Sequence, residues 1–253
     1  MAGFSRNDRA PSHDDPAAER AERQRQLVLA YRLFGALRWG DMGDGHITAR
    51  DPERTDNLWL LGYGVPFGEA TVADLVEVNA AGEVVDGVHD INPTAYFIHA
   101  PIHVARPELV SAAHTHTHWG TPWSARNRLL EPISQEACAF FEDHALFDDE
   151  EVAVGSTDGG KRIAAALGDN KAIILRNHGL LTVGASVGET VGWFVMMERV
   201  AEVSAKIADA IPISPDAARI AHHAVGRPES GWQIFRWLVA THLSEVDHAA
   251  AAT

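Results

Sequence analysis

The most constraining stretch of this chain is Val110-Ser111-Ala112-Ala113-His114-Thr115-His116-Thr117-His118-Trp119-Gly120. Three histidines alternate with threonines directly after a short apolar run. In a strand, the two-residue period places His114, His116 and His118 on one face. Two imidazoles two positions apart can both reach one metal ion. A third ligand must come from elsewhere, and Arg176-Asn177-His178-Gly179, at the end of an apolar run, is the obvious supplier. A half-buried strand with a polar face explains a single histidine. An alternating triplet plus a distant histidine at a strand end points instead to a metal site. Successive same-face positions lie roughly 7 Å apart, so a strand aims two such side chains at one ion more easily than three. His118 is therefore expected behind the ligands or against the substrate.

Bulk properties narrow the setting. The 253 residues are 46% hydrophobic, enough for one sizeable core. Twenty-one basic residues stand against 35 acidic ones, a net charge of −14. That balance argues against a nucleic-acid phosphate binder. The single cysteine, Cys138, excludes an intrachain disulfide framework and a cysteine zinc site, and it fits a reducing cytoplasm. Its neighbours in Glu136-Ala137-Cys138-Ala139-Phe140-Phe141 mark it as a small buried hydrophobe rather than a catalytic thiol. No apolar run is long enough to span a membrane, and the polar start, Met1 to Pro16, does not read as a secretory signal. Residues 1–13 are expected to form a disordered tail, and 14–253 a single domain.

Asp14-Asp15-Pro16 opens a helix, with Leu27, Tyr31, Phe34 and Leu37 at helical spacing and Gly40 as its end. Gly45-His46-Ile47-Thr48-Ala49-Arg50 and Asn57 to Leu61 read as strands. Their flanking glycines, including Gly62 and Gly64, suit either a hairpin or a small-molecule cradle of backbone N–H groups. Leu75 to Asn79 and Glu83 to Asp86 form a hairpin. Asn92-Pro93 starts a helix carrying His99 and His103. That pair brackets Pro101 and lacks a glutamate, so it is no zincin motif, and His99 is expected to pack and hydrogen-bond. Further helices are predicted at Trp119–Arg128, Ser156–Leu167, Ser186–Ala210, Pro215–His223 and Pro228–His242, with strands at Ala172–Leu175 and Leu180–Val183. Asp148 to Glu151 is a solvated acidic loop. The pattern is mixed α/β, with helices on both sides of a mostly antiparallel sheet.

His114-Thr115-His116 together with Asn177-His178-Gly179 resembles the class II aldolase/adducin family. Gly45-His46-Ile47-Thr48-Ala49-Arg50 is similar to its N-terminal glycine-strand motif, and the helix with His99 precedes the histidine strand at the expected distance. The resemblance covers roughly Gln24 to Ala210. It implies an α/β/α sandwich with a central, mostly antiparallel mixed sheet, and a homotetramer with active sites at subunit interfaces. It also implies His114, His116 and His178 as ligands of one divalent metal, usually Zn2+, with Mn2+ or Fe2+ as alternatives. Two departures stand out. Sugar-phosphate aldolases of the family carry a catalytic Glu four residues before the helix histidine, where this chain has Ala95. Their phosphate site uses an Asn after the first glycine, where this chain has His46. Ser134-Gln135-Glu136-Ala137-Cys138-Ala139-Phe140 resembles the branch holding aromatic-acid decarboxylases and the iron-dependent oxidative decarboxylases of aminocoumarin biosynthesis.

Three neutral imidazoles leave a metal with open positions for a bidentate carbonyl or carboxylate substrate. The leading expectation is a metal-dependent lyase breaking a C–C bond, by aldol cleavage or decarboxylation. The alternatives are a non-haem Fe(II) oxygenase performing oxidative decarboxylation and a non-catalytic adducin-like interaction module. With Ala95 unable to take a proton, the acid/base candidates are Glu142, His144 and Glu136, and behind them His118 and His222. His46, His118 and Trp119 are expected to line the substrate.

Overall fold

The computed structural model describes Ser5 and residues 7–252. Eight strands form one sheet in the order β4-β3-β2-β1-β5-β8-β7-β6. They are β1 (His46–Arg50), β2 (Leu58–Leu61), β3 (Leu75–Val78), β4 (Val84–Asp86), β5 (Ser111–Thr115), β6 (Ala145–Phe147), β7 (Ala172–Leu175) and β8 (Gly179–Gly184). Only β6 and β7 pair in parallel; every other pairing is antiparallel. The helices are α1 (Pro16–Ala36), α2 (Pro93–Ala105), α3 (Gly120–Ser124), α4 (Thr157–Leu167), α5 (Val187–Lys206), α6 (Pro215–Val225), α7 (Pro228–His242) and α8 (Glu245–Ala250). Among the described residues no helix is long and apolar enough to cross a membrane.

Strand alternation divides the interior in two. Ala113, Ile174 and Leu180 join the larger core with α1, α5 and α7, whereas Ala112, Ile173 and Leu181 join a second core with α2 and α4. Both faces are thus covered, as the three-layer expectation requires. The caps follow from local chemistry. Asp15 accepts the N–H of Ala18 at 3.1 Å before Pro16, Asn92 accepts that of Thr94 before Pro93, and Ser186 accepts that of Glu189.

Several boundaries differ from the sequence reading. α1 ends at Ala36 rather than near Gly40, because Arg38 takes a left-handed conformation (φ 60°) and the Trp39 N–H returns to the Phe34 carbonyl. The helix expected over Trp119–Arg128 is only the short α3, and left-handed Asn127 follows it. β6 and α8 are additional elements. Of the tail expected to be disordered, Asp8 pairs with Arg236, Arg9 with Glu229 at 2.9 Å, and Ala10 packs on the larger core. Those ties to α7 correct the expectation for this part of the tail; Met1 to Phe4 and Arg6 lie outside the described residues.

The helix carrying His99 is held by a tight crossing. A Cβ on Gly160 of α4 would fall 1.9 Å from the Phe97 carbonyl of α2. Gly160→Ala should therefore force the helices apart and cost roughly 1–3 kcal/mol, as overpacking does. Thermal unfolding should show a drop of several degrees; an unshifted melting temperature would contradict the crossing.

Candidate metal centre

β5 ends at Thr115, so of the three histidines only His114 lies within the ladder. His114 pairs with His46 of β1 on one side and Leu181 of β8 on the other. The chain then leaves the sheet, and His116 and His118 stand on the turn that follows rather than on an extended strand. That departure resolves the 7 Å spacing. His116 swings back towards His114, whereas His118 points to solvent.

His178 arrives from the β7–β8 turn. Its N–H bonds the Leu175 carbonyl at 3.0 Å, and Asn177 closes the turn in the left-handed region (φ 54°), where Asn is well tolerated. The ring centroids lie 4.7 Å apart for His114 and His178, 5.1 Å for His116 and His178, and 5.4 Å for His114 and His116. One ring nitrogen from each lies within 4.8 Å of the others. His114 is buried, His178 half-buried and His116 exposed, so the cluster opens to solvent on one side.

The groups behind these rings suit a metal. Nδ1 of His114 donates to the Leu180 carbonyl at 2.8 Å, leaving the Nε2 lone pair free. Nδ1 of His116 faces a carboxylate oxygen of Asp44 at 3.4 Å. The other Asp44 oxygen is buried without a protein partner, a polar orphan beside the cluster. Burial and the neighbouring imidazoles hold His114 well below the ordinary imidazole range. His178 is pushed down to about 4 by burial and then by His116. Both are neutral near pH 7, the state a metal requires.

A buried carboxylate anchors the turn itself. Glu198 of α5 accepts the Thr117 hydroxyl and the Gly120 N–H, each at 2.6 Å, and the Trp119 N–H at 2.9 Å. Burial pushes its pKa up although all three bonds favour the anion. Neither Asp44 nor Glu198 was singled out from the sequence. A lone acid on a helix face carries no mark of the turn it holds, and only the three-residue reach of its bonds reveals it.

β1 turns its own polar residues towards the same face. His46, Thr48 and Arg50 alternate with Ile47 and Ala49, which face the larger core. Above them lie His99 and His103 of α2, all five residues buried. His46 Nδ1 and His99 Nε2 are 3.0 Å apart, and the Thr48 hydroxyl lies 2.9 Å from His99 Nδ1 and 3.1 Å from His103 Nε2. The expectation that His99 packs and hydrogen-bonds matches these contacts.

A cavity of about 490 Å³ lies beside His46, between the glycine turns around Gly43, Gly45, Gly62 and Gly64. The paired β1 and β2 are therefore both a hairpin-like ladder and one wall of a cradle. Gly45 (φ 117°) cannot carry a side chain, because a Cβ would fall 2.4 Å from Thr115. A larger cavity, about 550 Å³, is lined by Arg50, Tyr96 and His103 but by none of the three clustered histidines.

The remaining candidates sit elsewhere. Glu142 is exposed and forks onto Arg219 of α6 at 2.8 and 2.9 Å. His144 bonds the Phe140 carbonyl through Nδ1 and the Leu130 N–H through Nε2, which uses both nitrogens. Glu136 is exposed at the start of a 3-10 turn, and His222 bonds the Cys138 carbonyl. Trp119 packs on the larger core beneath the Lys206 ammonium and, like His118, does not line the cavity. Ala95 lies in an apolar cluster with Leu60, Val76 and Val78.

Burial of uncharged histidines makes stability pH-dependent. His103 is pushed down from 6.5 to about 3, by burial and then by Arg50. A histidine depressed in the folded state contributes stability fully above its unfolded pKa and loses it as pH falls towards the folded value. His103 alone should withdraw about 1–2 kcal/mol between about pH 6.5 and about pH 5. Urea unfolding at the two pH values should show the lower midpoint at pH 5; equal midpoints would refute this.

Residues 25–205 match the class II aldolase and adducin N-terminal domain. The chain is 39% identical over 249 residues to 4-hydroxy-3-prenylphenylpyruvate oxygenase/4-hydroxy-3-prenylbenzoate synthase of Streptomyces roseochromogenus subsp. oscitans, covering 96% of this chain and 90% of that one. It is 38% identical over 232 residues to decarboxylase NovR of Streptomyces niveus, covering 89% and 86%. Among solved structures, the L-fuculose 1-phosphate aldolase from Glaciozyma antarctica PI12 superposes with a TM-score of 0.83 at 33% identity, covering 94% of this chain and 96% of that one. The chain belongs to the class II aldolase/adducin family.

Proposed function

We propose that this chain is a metal-dependent enzyme that breaks the C–C bond next to the carboxylate of a small 2-oxo or 2-hydroxy acid. The observation that carries this reading is the convergence of His114, His116 and His178, two of them backed by a carbonyl and a carboxylate that leave Nε2 free. A divalent metal bound there would hold the substrate's carboxylate and the adjacent oxygen and polarise that oxygen.

The chain's own residues do the rest. Asp44 and the Leu180 carbonyl orient the imidazoles, and Glu198 holds the turn that aims His116. The glycine turns leave room for a small substrate beside His46. Ala95 and its apolar surroundings supply no carboxylate on α2, which counts against aldol chemistry that depends on one there. Decarboxylation creates its carbanion by losing CO2 and needs no such proton abstraction.

A second reading is favoured by the relatives' names, one an oxygenase and one a decarboxylase. On it, the same cluster would serve oxidative decarboxylation with iron and O2. The two readings share the ligands and differ in the metal and the co-substrate.

Protein purified without added metal should hold about one divalent ion per chain by elemental analysis, and His114→Ala should lose it. Full retention of metal by that variant would overturn the ligand assignment. Oxygen-electrode measurements with phenylpyruvate separate the readings. CO2 release without oxygen uptake supports the lyase, and stoichiometric uptake with iron bound supports the oxygenase.

A further inference from the structure

The buried polar seam between β1 and α2 has a direction. It begins at Arg50, whose guanidinium can only donate. Nη2 of Arg50 gives one hydrogen to the His103 carbonyl at 2.6 Å, and its other lies towards His103 Nδ1 at 3.3 Å and the Arg106 carbonyl at 3.4 Å, which sets Nδ1 as an acceptor. His103, neutral, then carries its proton on Nε2 and donates it to the Thr48 hydroxyl. Thr48 has a single hydroxyl proton, and with one imidazole donating to it, that proton goes to His99 Nδ1. His99 in turn carries its proton on Nε2 and donates to His46 Nδ1. Neutral His46 is left with its proton on Nε2.

That last nitrogen has no protein partner among the described residues, and it is not one of the sealed, unsatisfied buried atoms. His46 lines the 490 Å³ cavity, and its ring centroid stands 5.2 Å from that of His114. The N–H therefore faces the space beside the clustered histidines.

We propose that the chain Arg50–His103–Thr48–His99 locks His46 in its Nε2–H tautomer, making it a hydrogen-bond donor for a carboxylate or carbonyl oxygen of the substrate. The opposite direction would need His103 to donate from Nδ1. The Leu109 carbonyl accepts Arg50 Nε at 3.0 Å and keeps a second lone pair, so the direction is decided at the guanidinium. A guanidinium hydrogen aimed at the same Nδ1 would clash with the donated one. A reversed chain would leave His46 Nε2 as a bare base. His46 is thus a binding residue, and His99, Thr48, His103 and Arg50 are positioning residues. The donor selects substrates that present a lone pair beside the cluster and disfavours an ammonium there. The substrate role rests on the function proposed above; the tautomer rests on the hydrogen bonds alone.

Long-range 1H–15N correlation spectra of 15N-histidine protein report the tautomer without substrate. His46, assigned by loss of its signals in His46→Phe, should carry its proton on Nε2 near neutral pH. Thr48→Val should mix or reverse its tautomer, and Thr48→Ser, which keeps the hydroxyl, should restore it and serve as the folded control. A wild-type Nδ1–H signal, or no change in Thr48→Val, would overturn the lock. Calorimetry with phenylpyruvate on zinc-loaded protein tests the substrate role. Thr48→Val should bind about tenfold more weakly than wild type at equal zinc content, with Thr48→Ser near wild type. Equal affinities would overturn that role. A wild type that binds zinc but no phenylpyruvate would reject the proposed substrate class while leaving the tautomer result standing.

Discussion

Burying uncharged imidazoles is the constraint on which the rest of this structure depends. Four of them, His46, His99, His103 and His114, are almost fully withdrawn from water within one layer. A neutral imidazole offers one donor and one acceptor, and a buried ring must satisfy what it turns away from solvent. The fold meets this by devoting the α2-facing side of β1 to His46, Thr48 and Arg50, and by supplying His99 and His103 at i, i+4 on the helix above. The Leu180 carbonyl serves His114. The apolar half of β1 meanwhile contributes to the larger core, so one five-residue strand joins the hydrophobic packing to the polar layer.

The same polar layer reaches the open cluster. His114 is shared between them: its strand neighbour His46 belongs to the seam, and its ring neighbours His116 and His178 approach solvent. Anionic groups support the periphery rather than the centre. Asp44 backs His116, and Glu198 gathers three donors from the turn after β5. Ala95, packed among Leu60, Val76 and Val78, offers no carboxylate to this layer.

Much of the fold was legible because two-residue and helical periodicities are local. The strands at His46–Arg50, Ala172–Leu175 and Gly179–Gly184, and the helices with Asp15, Asn92 and Ser186 as caps, lie close to where their patterns place them. The misses have local causes as well. α1 stops early at a left-handed Arg38, which has no compositional mark, and the three-residue β6 is too short to show a period. The order of strands was beyond the sequence, since β5 pairs with β1 and β8 across long separations.

For the site, the sequence by itself determined the three imidazoles that converge, because alternation after an apolar run and a histidine in a strand-ending turn are local patterns. It also determined that Ala95 offers no carboxylate and that Cys138 is a buried thiol. The tertiary structure alone decided what surrounds those rings. It bound Glu142 to Arg219 and closed both nitrogens of His144, and it put Asp44 and Glu198 behind the cluster. It also stacked His99 and His103 onto β1. The reason is physical: a side chain's chemistry is written in its residue type, but its partners depend on which distant backbone the packing brings within hydrogen-bond reach.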